Sequence, residues 1–294
     1  MPSPEHDQYV AALAAQPPAG QGTIEEMRAG MEMMTDLYPL AEDVSVEVVE
    51  VAGRPAEWVT TPESDPSRVV LYFHGGGYVM GSINTHRELV SRIARAAGAR
   101  VLNLEYRLAP EEPFPASVED ATGAYEWLLG QGIPAERIVV AGDSAGGGLT
   151  LATLLALKAQ GTSLPGCAVC LSPWIDLEGT GQSAQPGSVD DPMVGVDELR
   201  DMGRHYAAEE LRNPLAAPLY GDFTGFPPLL IQVGTREILL DDSRRVAEKA
   251  RESRVEVTLQ EEDGLVHVWQ AAANLPEAAS AVEKIGEFIR AQLP

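Results

Sequence analysis

Lysine is almost missing from this chain of 294 residues: Lys158, Lys249 and Lys284 are the only three, and arginine carries the rest of the positive charge. Acidic residues outnumber basic ones 44 to 21, a formal charge of −23. A field of that sign repels phosphate backbones and anionic membrane surfaces, so no nucleic acid partner is expected. The acidic excess serves solubility and fits a salty or hot habitat, while a bias in genome composition explains the missing lysine as well as adaptation would. Cysteine is scarce too. Cys167 and Cys170 share the apolar run Cys167-Ala-Val-Cys-Leu171. Three positions apart on a strand they point to opposite faces and cannot pair. A redox Cys-x-x-Cys belongs at a helix start, so buried core thiols are expected instead. No apolar run is long enough for a membrane span. The opening residues, Met1-Pro-Ser-Pro-Glu-His-Asp-Gln, lack the basic flank and apolar segment of a secretory signal, which leaves a cytoplasmic address as the expectation.

What is present reads as one large α/β unit. Hydrophobic residues make up 45% of the chain, enough for a substantial core. Residues 1–43 read as helical, with Ile24, Met27, Met31, Met34 and Tyr38 recurring on one stripe. Such a stripe is usually core; its methionine content makes a pliable wall over a ligand site the alternative. From Val44 the period changes to two, Gly53-Arg54 makes a turn, and an antiparallel hairpin is expected through Thr60. Strand-like and helix-like segments then alternate: strands at 68–73, 100–104, 138–140, 167–171, 229–233 and 255–259, with helices at 86–97, from Ser117 (as cap) to 129, after Ser144, near 243–251 and at 276–291. That alternation implies a mostly parallel sheet covered by helices on both faces. Residues 178 to about 226 break the rhythm with a Gly/Ser/Gln-rich stretch and a helix around 197–208. This is an insertion, and ligands in such sheets bind beyond the strand carboxyl ends where insertions gather. No internal repeat is visible.

The chemistry starts at Gly142-Asp-Ser144-Ala-Gly146, which follows a β-branched strand and precedes a helix-forming run. Strand, sharp turn and helix in that order form a nucleophile elbow, in which the serine is strained and the glycines two residues either side leave no room for a Cβ. A serine hydroxyl needs a base, and the base needs an orienting acid. In the order Ser, acid, His the base must follow Ser144; of the two histidines that do, His205 lies on the insertion, and His267, in the loop between the last strand and the last helix, is the choice. The acid must follow the strand at 229–233. Glu237 is nearest its end and Asp241 is the alternative, with capping of the following helix as the other role for Glu237, Asp241 and Asp242 alike. A tetrahedral intermediate needs rigid N–H donors for its oxyanion. The glycines of His74-Gly75-Gly76-Gly77 supply them through Gly76 and Gly77, and Ala145 adds a third. A phosphate loop is the rival reading of Gly76-x-x-x-x-Gly81, but Ser82 stands where it needs lysine.

Together, His74-Gly-Gly-Gly, Tyr106-Arg-Leu-Ala-Pro-Glu111, Gly142-Asp-Ser-Ala-Gly-Gly147, Ser172-Pro-Trp-Ile-Asp-Leu177, Glu237-Ile-Leu-Leu-Asp-Asp242 and His267-Val-Trp resemble the hormone-sensitive-lipase-like carboxylesterases, the bacterial family IV of lipolytic α/β-hydrolases. The resemblance spans residues 74–269. It implies the α/β-hydrolase fold, with residues 1–43 as an N-terminal helical cap segment and 44–294 as the catalytic domain carrying the 178–226 insertion. It places the triad acid on Glu237, although an acidic residue usually precedes that position and Arg236 stands here. It implies short- to medium-chain acyl esters as substrates, no cofactor or metal, and frequently a homodimer. Under it Met31 and Met34 join the cap, and Tyr78 and Trp174 are candidates for lining the pocket. Two other readings remain beside it. A hydrolase of amides or of a specialised metabolite shares every motif. A non-catalytic small-molecule receptor would lack the nucleophile or the base, whereas Ser144 and His267 are both present.

Overall fold

The computed structural model describes residues 2–15 and 22–294; Met1 and residues 16–21 of the expected helical segment lie outside the described residues. Eight strands form one sheet: β1 (Ser45–Val51), β2 (Arg54–Thr60), β3 (Asp65–Phe73), β4 (Ala99–Leu104), β5 (Ile138–Asp143), β6 (Cys167–Leu171), β7 (Leu229–Gly234) and β8 (Val257–Glu262), in the order β1-β2-β4-β3-β5-β6-β7-β8. The β1–β2 hairpin is antiparallel, and β2 pairs antiparallel to β4; every pairing from β4 to β8 is parallel. Helices α1 (Pro4–Ala14), α2 (Ile24–Met33), α3 (Ile83–Ala97), α4 (Ala116–Gly130), α5 (Ala145–Gln160), α6 (Val196–Ala207), α7 (Leu240–Glu252) and α8 (Pro276–Gln292) complete it.

The period of two along each strand divides the core. In β3, Val69, Leu71 and Phe73 pack with α4 and α5, while Val70 and Tyr72 pack with α3 and α8 on the opposite face. β6 does the same with its thiols. Cys167 joins the face of α3 and α8, and Cys170 joins α5 and α7 on the other. Both are buried and unbridged, and burial pushes the Cys167 thiol up to about 12. Parallel strands carry all their carboxyl ends to one edge, so six loops meet there: those after β3, β4, β5, β6, β7 and β8.

Several boundaries differ from the sequence expectation, each for a local reason. Ser117 does not cap α4. It lies inside the helix with its hydroxyl 3.1 Å from that of Tyr206, and Pro115 takes the cap position. Ser82 caps α3, three residues earlier than expected, through its Oγ and the amides of Asn84 and Thr85. β8 begins at Val257, because Val255 still closes the end of α7 by donating to the Ala250 carbonyl, with Arg254 at φ +62°. Helix α2 buries none of its residues. Met27 packs at the edge of the core and Tyr38 against the smaller cluster around Leu265 and Trp269, but Ile24, Met31 and Met34 join neither, which corrects the expectation that the whole stripe is core.

Candidate active site

Ser144 stands between the last residue of β5 and the first of α5, at φ +53° and ψ −118°. A side chain rarely adopts that backbone; such strain costs on the order of 1–3 kcal/mol and persists only where the surroundings enforce it. Here they do. The Ser144 amide donates to the Leu171 carbonyl at 2.8 Å, and its own carbonyl accepts from Trp174 at 2.9 Å and Gly148 at 3.0 Å. A Cβ on Gly142 would lie 2.4 Å from the Gly146 carbonyl oxygen, and one on Gly146 would lie 2.0 Å from that of Phe73. Both glycines are therefore obligatory at this corner.

His267, in the loop after β8, is buried with Nδ1 donating to Glu237 Oε2 at 2.7 Å. Glu237, in the loop after β7, is fully buried, and its Oε1 accepts from the Gly234 amide at 2.6 Å and the Ser172 hydroxyl at 2.8 Å. Burial alone would lower the imidazole pKa. The Glu237 hydrogen bond and charge, with the carboxylates of Asp191 and Asp143, outweigh it and raise the value above the usual 6.5. Asp241 is turned away, accepting from the Ser183 amide at 2.8 Å, and Asp242 accepts from Ile175 and Asp176 at 3.0 and 3.1 Å. Neither caps α7; both lie within its first turn. Arg236 pairs with Asp190 of the insertion at 2.8 Å rather than with Glu237. Ser172, quoted above only as part of a motif, holds the Glu237 carboxylate in place. The available signal was its place at the end of β6, between the ends of β5 and β7.

The other histidines do not compete. His86 is also buried beside a carboxylate, with Nε2 3.2 Å from Asp143 Oδ2, but its Nδ1 is engaged by Thr85 Oγ1 at 2.8 Å, so neither nitrogen is open. His74 is stacked on Tyr106 and fully buried; desolvation, then the neighbouring His86, lower its pKa to about 3. His6 and His205 lie on α1 and α6.

Gly76 and Gly77 take φ +116° and +62° in the loop after β3, and Ala145 opens α5. Among the described residues, none of these three amides donates to a protein acceptor. They are the free donors of a tight turn and a helix start, the arrangement that binds anionic oxygen.

Ser144, His267, Gly76 and Gly77 open onto one cavity of about 250 Å³. Residues of α1, α2, the insertion and α6 complete its walls, and five of the chain's eight methionines line it: Met31, Met34, Met80, Met193 and Met202. The N-terminal stripe thus supplies a wall. Tyr78 and Trp174 are not among the lining residues. Tyr78 is stacked on Tyr206 at 3.7 Å between ring centres, with Trp174 5.9 Å behind it, and both are buried at 1% exposure. Among the described residues no helix is long and apolar enough to cross a membrane, and no group of three or more His, Cys, Asp or Glu is placed to hold a metal ion.

A mostly parallel sheet with a strained serine at the end of a central strand, on the same cavity as a carboxylate-bound imidazole, defines an α/β-hydrolase. The profile of the alpha/beta hydrolase fold matches residues 70–271. An acetyl-hydrolase of Streptomyces hygroscopicus is 44% identical over 271 residues, 92% of this chain and 90% of its own length. An esterase of Acinetobacter venetianus is 34% identical over 265 residues, 89% and 87% of the two chains. The crystal structure of an esterase from the bacterial hormone-sensitive lipase family superposes with a TM-score of 0.96 at 46% identity, covering 100% of both chains. The chain belongs to the hormone-sensitive-lipase-like carboxylesterases of the α/β-hydrolase fold, and it is a carboxylic ester hydrolase.

Proposed function

We propose that it is a serine carboxylesterase for short- to medium-chain acyl esters, working through Ser144, His267 and Glu237. The observation that carries this is the imidazole pinned through Nδ1 to Glu237, on the wall of the cavity into which Ser144 opens. Pinning at Nδ1 fixes the tautomer and leaves the Nε2 lone pair for the serine proton. Ser144 Oγ adds to the acyl carbonyl while His267 takes its proton. The resulting oxyanion meets the amides of Gly76, Gly77 and Ala145. On collapse the C–O bond to the alcohol breaks and His267 returns the proton to the leaving oxygen. Water then repeats the sequence on the acyl-enzyme, releasing the acid. No cofactor is needed for any of these steps.

Residues 1–43 and the insertion at about 178–226 act as a cap on the catalytic domain of 44–294, because both supply walls of the cavity. At about 250 Å³ that cavity falls just below the usual range of ligand pockets, roughly 300 to 1,000 Å³. Its mostly apolar walls favour a short, neutral acyl ester. Met31 and Met34 contact the substrate directly; Tyr78 and Trp174 act from behind the wall, as packing for Gly148 and α6. Ser144→Ala should abolish hydrolysis of p-nitrophenyl butyrate and labelling by a fluorophosphonate. Retained turnover would end the proposal.

A further inference from the structure

The loop that carries Gly76 and Gly77 is fastened from outside the cavity by helix α2. Arg28 donates from Nε to the Val79 carbonyl at 2.7 Å and from Nη2 to the Ala109 carbonyl at 3.0 Å. The same guanidinium grips the Glu111 carboxylate at 2.8 and 2.7 Å. One turn further along α2, on the same face, Glu32 accepts from the Ser82 hydroxyl. Ser82 closes the loop and opens α3. From there a hydrogen-bonded chain runs inward. The Ser82 amide donates to Thr85 Oγ1 at 3.0 Å, and Thr85 Oγ1 is 2.8 Å from His86 Nδ1. His86 Nε2 reaches Asp143 Oδ2 at 3.2 Å, and Asp143 Oδ1 accepts from the Gly75 amide at 3.1 Å. The loop is thereby held at its start by Asp143, in its middle by Arg28 and at its end by Glu32.

We propose that Arg28 and Glu32 are positioning residues for the oxyanion donors, so that the seating of α2 sets where the Gly76 and Gly77 amides point. This rests on reading those amides as the oxyanion site. Neither side chain is among those lining the cavity, so neither acts by touching substrate. Their leverage comes from the turn between anchor and donors. The amides of Val79 and Met80 both donate to the Gly76 carbonyl, at 3.1 and 2.9 Å. A Cβ on Gly76 would sit 2.2 Å from the Met80 carbonyl oxygen, so this turn has no slack. A shift of the Val79 peptide is carried directly into Gly76 and Gly77. The Arg28–Glu111 pair is a weak explanation by itself, since Glu111 is 61% exposed and its attraction is screened. The two carbonyl bonds of Arg28 are the ones that reach the loop.

Misaimed donors weaken binding of the transition state more than binding of the ester, so the effect belongs in kcat. Arg28→Lys keeps the charge but cannot hold Val79, Ala109 and Glu111 together. It should lower kcat for p-nitrophenyl butyrate about tenfold, with KM within about twofold. It should weaken an alkyl boronic acid, whose oxygen occupies the oxyanion site, by the same factor. Glu111→Gln, which leaves both carbonyl bonds in place, should stay within about twofold of the parent on every count. Rates are taken per active site counted by fluorophosphonate titration, so misfolded protein drops out. If Arg28→Lys yields no titratable sites, Glu32→Ala decides by the same two measurements. A rise in KM at constant kcat, or a fall in kcat with boronate affinity unchanged, overturns the proposal. Activity surviving in Ser144→Ala would instead overturn the underlying site, and is scored separately.

Discussion

Replacing Glu237 by glutamine tests the site at the point where its geometry is most constraining. The change removes one charge and no volume. Oε1 of Glu237 receives two donors, the Gly234 amide at 2.6 Å and the Ser172 hydroxyl at 2.8 Å. The glutamine carbonyl must occupy that corner, which turns its NH2 toward His267 Nδ1, where a carboxylate oxygen now accepts at 2.7 Å. An imidazole facing a donor at Nδ1 carries its own proton on Nε2, and then has no lone pair for Ser144. The lost charge adds to this. Two unit charges about 4 Å apart at an effective dielectric of about 20 interact by about 4 kcal/mol. Losing that support for the imidazolium costs about 10³ in rate, and the equivalent wrong-tautomer change in a Ser-His-Asp hydrolase costs about 10⁴. We expect kcat on p-nitrophenyl acetate to fall by about 10³ to 10⁴, with the circular dichroism spectrum unchanged. Asp241→Asn, whose carboxylate serves the Ser183 amide, should leave kcat within about threefold. A Glu237→Gln enzyme within tenfold of the parent, or an Asp241→Asn enzyme that collapses, would refute the assignment.

Other expectations follow from the same coordinates. Because His267 is raised above the usual imidazole value, kcat/KM should fall on acidification with a midpoint above about 6.5, and a midpoint at or below that contradicts the environment described. Stability runs the other way: a raised folded-state pKa contributes stability below the unfolded value that is lost as pH rises through the folded one, so a melting series should not track the activity limb. Gly146→Ala forces a Cβ to 2.0 Å from one backbone oxygen and should lower Tm by about 10 °C or prevent folding, whereas Gly130→Ala meets nothing within 4 Å and should be neutral or slightly stabilising. Cys167 and Cys170 should resist a thiol reagent in the native protein and titrate together after denaturation; fast reaction of either would show that its face of the sheet is open.

Local spacing made the elbow and the sheet legible, because each is dictated within a few residues: glycines at 142 and 146, strand before, helix after; chain order only pointed to His267 as the candidate base. What periodicity could not show was which side of a stripe faces what. Met31 and Met34 sit at helical spacing whether they cover core or cavity, and only the packing of α2 over the strand ends decides. Tyr78 and Trp174 failed as lining residues for a related reason. Their positions beside the glycine loop and the β6 end are near the site in sequence, but Tyr206, from the distant insertion, claims the face of Tyr78. Ser172 and the His86–Asp143 pair depend on contacts spanning 65 and 57 residues, which no local pattern encodes. Arg236 departs from the family pattern, and its partner, Asp190, lies in the insertion, where the pattern is silent.

The five thioethers around the reaction chamber carry a liability that serine chemistry itself does not. Hypochlorite or peroxide turns methionine into its sulfoxide, adding a polar, chiral oxygen where the wall had been soft and apolar. Met202 lies so close to Gly77 that its sulfur is 2.2 Å from where a Cβ on that glycine would stand. An oxygen placed on that sulfur would add a polar group to the wall that Met202 and Gly77 share. The enzyme would then lose turnover while Ser144, Glu237 and His267 stayed chemically intact, and a reductase specific for methionine sulfoxide would restore it.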